Sequence, residues 1–435
     1  MSPTPGAPAP GCPSGVPSPY EPVALHGPGF AADPHGHYRG LRAHGPLARV
    51  RVAPDVDALL VTDYQAAVDL LRDTETFSRD PRAWQAGVPA DSPVLSVLGH
   101  RPTALCSDGA VHARYREAVT DTLGLLEPHL LRADVAQAAQ ALIGTFSATG
   151  TGDLIGQYAR LLPLHVFAGC FGVAPQDRER LLGGLVGMTD SDANAATADV
   201  LALVTDLVAE RRARPGRDLT SHLLAHPAGL DDDETARQIV LIMTAGHEPT
   251  TNLIGNALLR MLSDTGYGGS LHGGAMTAHE AIDEVLWRDP PMANTAAHYP
   301  RHDTEFHGVP LRAGQLILVS FAAANTQSPP TVSDPAVRSG DGAHLAWSTG
   351  PHRCPAKQPA LLMATTAIEQ LTSQLCDLEL AVEPSALEWR RDPFHRAPTR
   401  LPVRFTPLDT LSAGGPAWRE DADPVPARVG GTPNG

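Results

Sequence analysis

One long helical segment, residues 231–262, limits the possible folds of this chain more than any other. Its first turn is acidic, as suits the positive end of a helix dipole, and apolar residues then fall on nearly every face. A helix that is apolar all round belongs in a protein core. His247, Glu248, Thr250 and Thr251 interrupt the apolar pattern at its centre, and such buried polar groups predict a functional site.

The rest of the chain predicts a mostly α protein with small β-sheets. The predicted elements are a strand pair at 47–52 and 58–61, a strand at 315–320, and helices at 64–72, at 277–287 and from Pro355 onward.

No linker divides the middle of the 435-residue chain, so we expect one large domain at 25–409. Residues 1–24 and 410–435 are rich in Pro and Gly and lack apolar periodicity. We expect both segments to be disordered.

Composition excludes several classes of function. The net charge of −15 argues against non-specific nucleic-acid binding. The N-terminus does not resemble a signal peptide, and polar residues and Pro249 interrupt the longest apolar run, so we expect no membrane span. The five cysteines are scattered without a disulfide pattern, which is typical of a reducing compartment. We therefore expect a cytoplasmic protein.

Cys354 is the cysteine whose surroundings are most informative. It lies just before a helix, and Pro355 is favoured at a first helical position. The free N–H groups of that first turn and the helix dipole are expected to lower the pKa of the thiol. A thiolate in a fixed loop suits a metal ligand or a nucleophile. The alternatives are a buried structural cysteine, a zinc site, which lacks a second cysteine pair, and a cysteine hydrolase using His352.

The loop around Cys354 resembles the haem-binding loop of the cytochrome P450 family, F-G-x-G-x-H-x-C-x-G-x-x-L-A. The matching positions here are Trp347, Ser348, Gly350, His352, Cys354, Ala356, Pro359 and Ala360. Gly350, His352, Cys354 and Ala360 agree with the pattern. The other four positions carry substitutions. The sequence resembles the actinobacterial members of the family most.

Three further segments occur in the family's order and extend the resemblance over about residues 30–405. AGHEPTTN at 245–252 is similar to the oxygen-binding motif of the family's central helix. SDGAVHARYREAV at 107–119 resembles the helix that contacts the haem propionates. AIDEVLWRDPP at 281–291, followed by the run at 308–325, resembles the family's K-helix and the β region after it.

The resemblance implies a triangular, prism-like single domain that binds haem b, iron protoporphyrin IX. Cys354 would ligate the iron. His112, Arg116, His298, His352, Gly350 and Ala356 would contact the cofactor. The catalytic positions would be Ala245, Gly246, Glu248, Thr250 and Thr251.

Two positions depart from the family pattern. Pro249 stands where the family has a threonine that helps deliver protons, and we expect the helix to open or kink there. Thr250, or a water in a widened groove, would then relay protons with Glu248. In the K-helix, Trp287 takes the place of the arginine that pairs with Glu284. Arg288 and Arg338 are candidate partners for that carboxylate.

The resemblance therefore implies a monooxygenase that inserts one oxygen of O2 into an apolar organic substrate, in secondary metabolism. A separate ferredoxin and ferredoxin reductase would supply electrons, because the chain shows no flavin or iron–sulfur motif. The alternative is a haem-binding relative with peroxide-driven or no oxygenase activity, acting as the partner of a companion oxidase.

Overall fold

The computed structural model describes residues 21–92, 94–187, 193–263, 276–327 and 343–408. The predicted C-terminal tail, most of the predicted N-terminal segment and Arg338 lie outside these residues. The predicted domain boundary at residue 25 is too late, because Val23–Ala24 pair with Val50 and Arg51 as a parallel strand. This strand hydrogen-bonds to the edge of the sheet, so the ordered domain begins before residue 25.

Helices make up most of the described chain. In chain order they are α1 (Pro28–Ala32), α2 (Pro34–Arg42), α3 (Tyr64–Arg72), α4 (Arg82–Gln85), α5 (Leu95–Leu98), α6 (Gly109–Gly124), α7 (Pro128–Phe146), α8 (Leu161–Cys170), α9 (Pro175–Gly187), α10 (Ala193–Ala213), α11 (Leu219–Ala225), α12 (Asp232–Leu262), α13 (Ala278–Arg288), α14 (Phe321–Thr326) and α15 (Lys357–Gln374). Short 3₁₀ or π turns lie at Ala104–Cys106, Ser147–Thr149, Ile155–Ala159 and Pro384–Ala386. The predicted mostly α fold is confirmed.

The strands are short. They are β1 (Val23–Ala24), β2 (Leu47–Ala53), β3 (Val56–Val61), β4 (Phe77–Ser78), β5 (Thr151–Asp153), β6 (Asn294–Pro300), β7 (Thr304–Phe306), β8 (Val309–Leu311), β9 (Ile317–Ser320), β10 (Glu379–Leu380) and β11 (Pro402–Arg404). The largest described sheet has the order β1-β2-β3-β9-β6-β4, and β10-β11-β5 and β7-β8 form two smaller sheets. The predicted strand pair is β2 and β3, which are antiparallel.

Helix α12 forms the centre of the helical core, as its all-round apolar pattern predicts. Asp231 caps its N-terminus, and Glu234 bonds back to the backbone of Asp231 in a capping box. The helix packs against α8, α10, α13 and α15. Leu253, Ile254 and Leu258 are at most 1% exposed, so the C-terminal half of α12 is fixed by close packing.

Helix α12 stays helical through Pro249, so the predicted opening of the helix is not found. A proline inside a helix removes one backbone hydrogen bond and costs about 3 kcal/mol. Burial of a single leucine or isoleucine side chain returns about 1.5–3 kcal/mol, and α12 buries several of them. Packing therefore outweighs the local preference of the proline.

Across the described ranges, no helix combines the length and the hydropathy that a membrane crossing requires.

Candidate functional site

The loop that leads into α15 is fixed by backbone hydrogen bonds. The Cys354 N–H donates to the Trp347 carbonyl over 2.9 Å, and the Arg353 N–H donates to the Gly350 carbonyl over 3.2 Å. Gly350 has a φ of 71°, and a Cβ there would lie 2.3 Å from the Leu71 carbonyl oxygen. The loop therefore needs glycine at this position, both for its conformation and for its close approach to α3.

Opposing effects act on the thiol of Cys354. Burial raises its pKa above the ordinary value, while the Ala356 N–H and the charge of Arg116 lower it. The expected net lowering of the pKa is wrong for the chain alone, because burial is the largest of these effects. Helix α15 also begins at Lys357 rather than at Pro355, so the N–H nearest to the sulfur comes from the turn before the helix.

His112 and His352 come together although they are far apart in the chain. Their rings lie 3.9 Å apart between centroids, with an interplanar angle of 34°. Burial lowers the pKa of His112, and the charge of Arg116 lowers it further. Burial lowers the pKa of Arg116 as well. The structure therefore places His112, Arg116 and His352 beside the Cys354 loop, as the sequence predicts.

His298 lies on β6, and the structure buries it beside this group. Its Nδ1 is 2.5 Å from the Ala296 carbonyl oxygen. Burial, followed by the charge of Arg79, holds the pKa of His298 well below its usual value. The ring is therefore neutral, and His298 brings no positive charge to the site.

Arg79 is a member of this group that sequence reasoning missed. It follows β4, its residue exposure is 9%, and its Nη1 donates to the Ala297 carbonyl over 2.8 Å. In the sequence it stands in the polar run Arg79-Asp80-Pro81-Arg82, which reads as an exposed turn. The sequence gives no local signal for its burial. We call His112, Arg116, His298 and His352 the basic cluster, and Arg79 adjoins it.

Several polar atoms around Cys354 are buried without a hydrogen-bond partner in the described structure: Arg79 Nε, His112 Nε2 and Trp347 Nε1. Buried polar groups are rarely left unpaired, so such a set indicates a missing bound group. Buried cations favour an anionic one. The site thus fits a haem, whose two carboxylates would meet the basic cluster.

A protein-only metal site is not apparent here. In the part of the chain that the structure describes, no three His, Cys, Asp or Glu side chains are grouped as metal ligands. A metal held by Cys354 would therefore need further ligands from outside the protein, and a porphyrin supplies four nitrogens.

Ala245, Gly246 and Pro249 occupy different surroundings on α12. Ala245 is exposed and Pro249 is half-buried, in a helix whose other central residues are mostly buried. Gly246 faces α8, where a Cβ would lie 2.7 Å from the Phe167 ring. The Phe167 ring therefore fills the place that a side chain at position 246 would need.

Glu248 is held by an arginine from a distant loop. Its carboxylate forms an ion pair with the Arg390 guanidinium, and Arg390 also lies 3.8 Å from Asp392. His395 Nδ1 is 2.8 Å from the Asp392 carboxylate. Burial raises the pKa of Asp392, but His395 and other partners lower it by more. The net pKa is below the ordinary value, so the carboxylate stays charged. Glu248 is thus the inner end of a chain of polar side chains.

The two threonines after Pro249 are both buried. Thr250 is 5% exposed and Thr251 is 2% exposed. Thr251 Oγ1 has no hydrogen-bond partner in the described structure. These hydroxyls and Glu248 occupy one short stretch of α12, as the sequence pattern requires.

The altered K-helix, α13, replaces the family's internal ion pair with other contacts. Glu284 pairs with Arg260 of α12 over 2.8 Å and with Arg288 over 3.3 Å. The predicted Arg288 pairing is confirmed, and Arg260 is an additional partner. Trp287 is 7% exposed and packs edge-on against His344, with ring centroids 5.7 Å apart. The aromatic ring therefore fills the arginine position by packing.

Comparison with known proteins gives the family. No protein-family model matches the chain. The cytochrome P450 monooxygenase PikC from Streptomyces venezuelae is 30% identical over 392 residues, which cover 87% of this chain and 92% of the relative. Cytochrome P450 107B1 from Saccharopolyspora erythraea is 30% identical over 395 residues, covering 86% of this chain and 96% of the relative.

A solved structure of CYP154C4 from Streptomyces sp. ATCC 11861 has a TM-score of 0.79 at 30% identity, covering 88% of this chain and 98% of that one. Fold and site together define a haem-thiolate oxidoreductase. The chain belongs to the cytochrome P450 family, of the monooxygenase type found in actinobacteria, and its cofactor is haem.

Proposed function

We propose that Cys354 Sγ holds the haem iron and that the protein inserts one oxygen atom of O2 into an apolar organic substrate in secondary metabolism. A separate ferredoxin and ferredoxin reductase in the cytoplasm supply the electrons. One observation carries the proposal. A half-buried thiol lies beside a basic cluster for which the described structure shows no carboxylate partner within 4.0 Å.

Each part of the site has a separate task in this proposal. Bound haem supplies the redox chemistry and activates O2. The Ala356 N–H and Arg116 stabilise the Cys354 thiolate, and the basic cluster fixes the orientation of the haem carboxylates. Ala245, which is exposed, and Pro249, which is half-buried, present an apolar surface to the substrate side of α12.

We propose that Glu248 delivers protons with the hydroxyls of Thr250 and Thr251. The support is the chain of polar contacts from Glu248 through Arg390 and Asp392 to His395, which offers a polar route into a buried helix. Thr251 Oγ1 is the hydroxyl that lacks a partner and is free to accept or donate a proton.

The carbon monoxide difference spectrum of the reduced protein tests the ligand. We expect the absorption band typical of thiolate-ligated haem, and we expect Cys354→Ser to abolish it. Cys376→Ser is the matched control, because that free cysteine is exposed and should leave the spectrum unchanged. A Cys354→Ser protein with the parent spectrum would contradict the proposal.

Pro249 favours a second candidate function, a peroxide-driven haem protein or a non-catalytic partner of a companion oxidase. This position carries no hydroxyl next to Glu248, so proton delivery from it is absent. Turnover assays separate the two candidates. Product formation with ferredoxin, reductase and NAD(P)H supports the monooxygenase, whereas product with peroxide alone, or haem binding without product, supports the second candidate.

The electron donor is proposed to dock on the face that carries the Cys354 loop. Arg353 is exposed there and offers a positive charge to an acidic ferredoxin. Arg353→Glu should slow the first reduction step at low ionic strength, and added salt should reduce the difference. Arg400→Glu, at an exposed arginine next to β11, is the control. Equal reduction rates for the two variants would count against this docking face.

A further inference from the structure

Arg79 is a buried cation without a counter-ion. Its exposure is 9%, and its Nε has no hydrogen-bond partner in the described structure. Its side-chain donation goes to the Ala297 carbonyl, which is a neutral acceptor. No carboxylate of the described residues lies within 4.0 Å of the guanidinium. A buried charge in this state is unfavourable, so the arrangement requires an anion that the described residues do not provide.

Asp108 accepts a hydrogen bond from the Arg79 backbone, but other groups occupy its carboxylate. It accepts hydrogen bonds from the Ser78 hydroxyl at 2.5 Å, from the Arg79 backbone N–H at 3.0 Å and from Arg301 Nη2 at 2.9 Å. The Arg301 ion pair neutralises the Asp108 charge. Asp108 thus holds the backbone of Arg79 in place and leaves the guanidinium unpaired.

The guanidinium points toward the basic cluster. Its Nη1 lies 3.5 Å from His298 Nδ1. The His298 Nδ1 carries a hydrogen, because it also contacts the Ala296 carbonyl, which can only accept. Arg79 and His298 are therefore in contact without a hydrogen bond between them.

We propose that Arg79 binds a carboxylate of the haem and supplies the charge that the neutral His298 cannot supply. The inference rests on the proposed function, because it assumes that the haem lies against Cys354. Arg79 reaches the cluster from the end of β4, whereas His298 belongs to β6. The two side chains therefore arrive at the same part of the site from different strands. The orphaned Nε of Arg79 and Nε2 of His112 are the donors available to the carboxylates.

Two forms of the cofactor test this binding directly. The apoprotein is titrated with haem b and with haem b dimethyl ester, whose carboxylates are esterified and uncharged, and the Soret absorbance gives each Kd. We expect Arg79→Met to weaken haem binding by about tenfold to a hundredfold, as for a lost charged hydrogen bond. Binding of the dimethyl ester should stay within about threefold.

Three variants make the result specific. Arg301→Met changes a neighbouring arginine that pairs with Asp108, and it should preserve the preference for haem over its ester. Arg79→Lys keeps a positive charge and should retain part of that preference. Combining Arg79→Met with His298→Arg should restore it, because a guanidinium then enters the cluster from β6.

Stability of the apoprotein gives an independent measurement. Removing an unpaired buried charge should make apo Arg79→Met at least as resistant to urea as the parent apoprotein. An unchanged preference for haem over its ester, together with a less stable apoprotein, would assign Arg79 a structural role and overturn the inference.

The inference and the proposed function fail in different ways. Only the role of Arg79 is refuted if the parent protein gives the thiolate spectrum and Arg79→Met keeps its full preference for haem over its ester. Parent protein that binds no haem, or a Cys354→Ser variant with an unaltered spectrum, refutes the proposed function itself.

Discussion

Two residues of the Cys354 loop have positive φ angles, and only one of them is a glycine, which tolerates such an angle without strain. Gly350 has a φ of 71° and Ser348 a φ of 60°. The family pattern has glycine at both positions, and a residue with a Cβ pays about 1–2 kcal/mol in this region. The serine is therefore a locally unfavourable choice in a loop that must keep its shape.

Replacing Ser348 by glycine should stabilise the protein. We expect Ser348→Gly to raise the free energy of unfolding by about 0.5–1 kcal/mol, since the relief of strain exceeds the entropy that glycine adds to the unfolded chain. Urea unfolding measures the change. Ser263→Gly is the control, because Ser263 has a φ of −88° and glycine should destabilise it. Similar effects of both substitutions would contradict the argument.

Gly350 tests a close contact in addition to backbone strain. Gly350→Ala should destabilise the protein by more than about 2 kcal/mol and lower its haem content, because the new Cβ meets the Leu71 carbonyl. Gly308→Ala is the matched control, with a φ of 78° and nothing within 4 Å of its Cβ. It should cost only about 1 kcal/mol. Equal losses would show that the Leu71 contact is unimportant.

Helix α12 shows how an element tolerates a residue that opposes it. Pro249 leaves the helix continuous, because α8, α13 and α15 pack around it. The proline therefore removes stability from the helix without ending it. Its effect on function lies in what the position lacks, a backbone N–H and a hydroxyl beside Glu248.

Two substitutions at Pro249 separate these effects. Pro249→Ala and Pro249→Thr should each raise the free energy of unfolding by about 1–3 kcal/mol, because both restore the N–H. Pro249→Thr should also increase the fraction of NAD(P)H electrons that reach product rather than peroxide, whereas Pro249→Ala should not. If the fraction of electrons that reach product were the same in both variants, a hydroxyl at this position would have no role.

The elements themselves could be predicted from local pattern. Helix α3 begins and ends where its apolar spacing indicates, and α13 spans nearly the predicted range, with Thr277 as its N-cap. The full pairing of Glu284 could not be predicted, because Arg260, its second partner, belongs to another helix. Periodicity reports which face of a helix is buried, but not which helix covers it.

Buried neutral histidines should make the stability of the folded protein depend on pH. His247 Nε2 lies 2.9 Å from the Arg160 carbonyl, so it carries a hydrogen in the neutral ring. Burial lowers the pKa of His247 to about 4. Between pH 6.5 and 4 the unfolded chain binds this proton and the folded protein does not. Stability is therefore highest above pH 6.5 and is lost as the pH falls, by up to about 3 kcal/mol.

Urea unfolding at pH 7, 6 and 5 measures this dependence. His247→Gln should flatten the slope by up to about 1.4 kcal/mol per pH unit, because glutamine can still donate to the Arg160 carbonyl but does not titrate. His279→Gln, at an exposed position of α13, is the control and should keep the parent slope. A His247→Gln protein with the parent slope would refute the assignment.

The sequence by itself determined the elements, the central place of α12 and the loop that presents Cys354, because these follow from periodicity, capping and glycine positions within short stretches. The tertiary structure alone decided the charges around the site. Arg79 meets His298 across 219 residues of sequence, and Arg390 meets Glu248 across 142. Neither arginine differs from a surface residue in its local sequence. Whether such a charge is buried, and which group it faces, depends on elements that meet only when the chain folds.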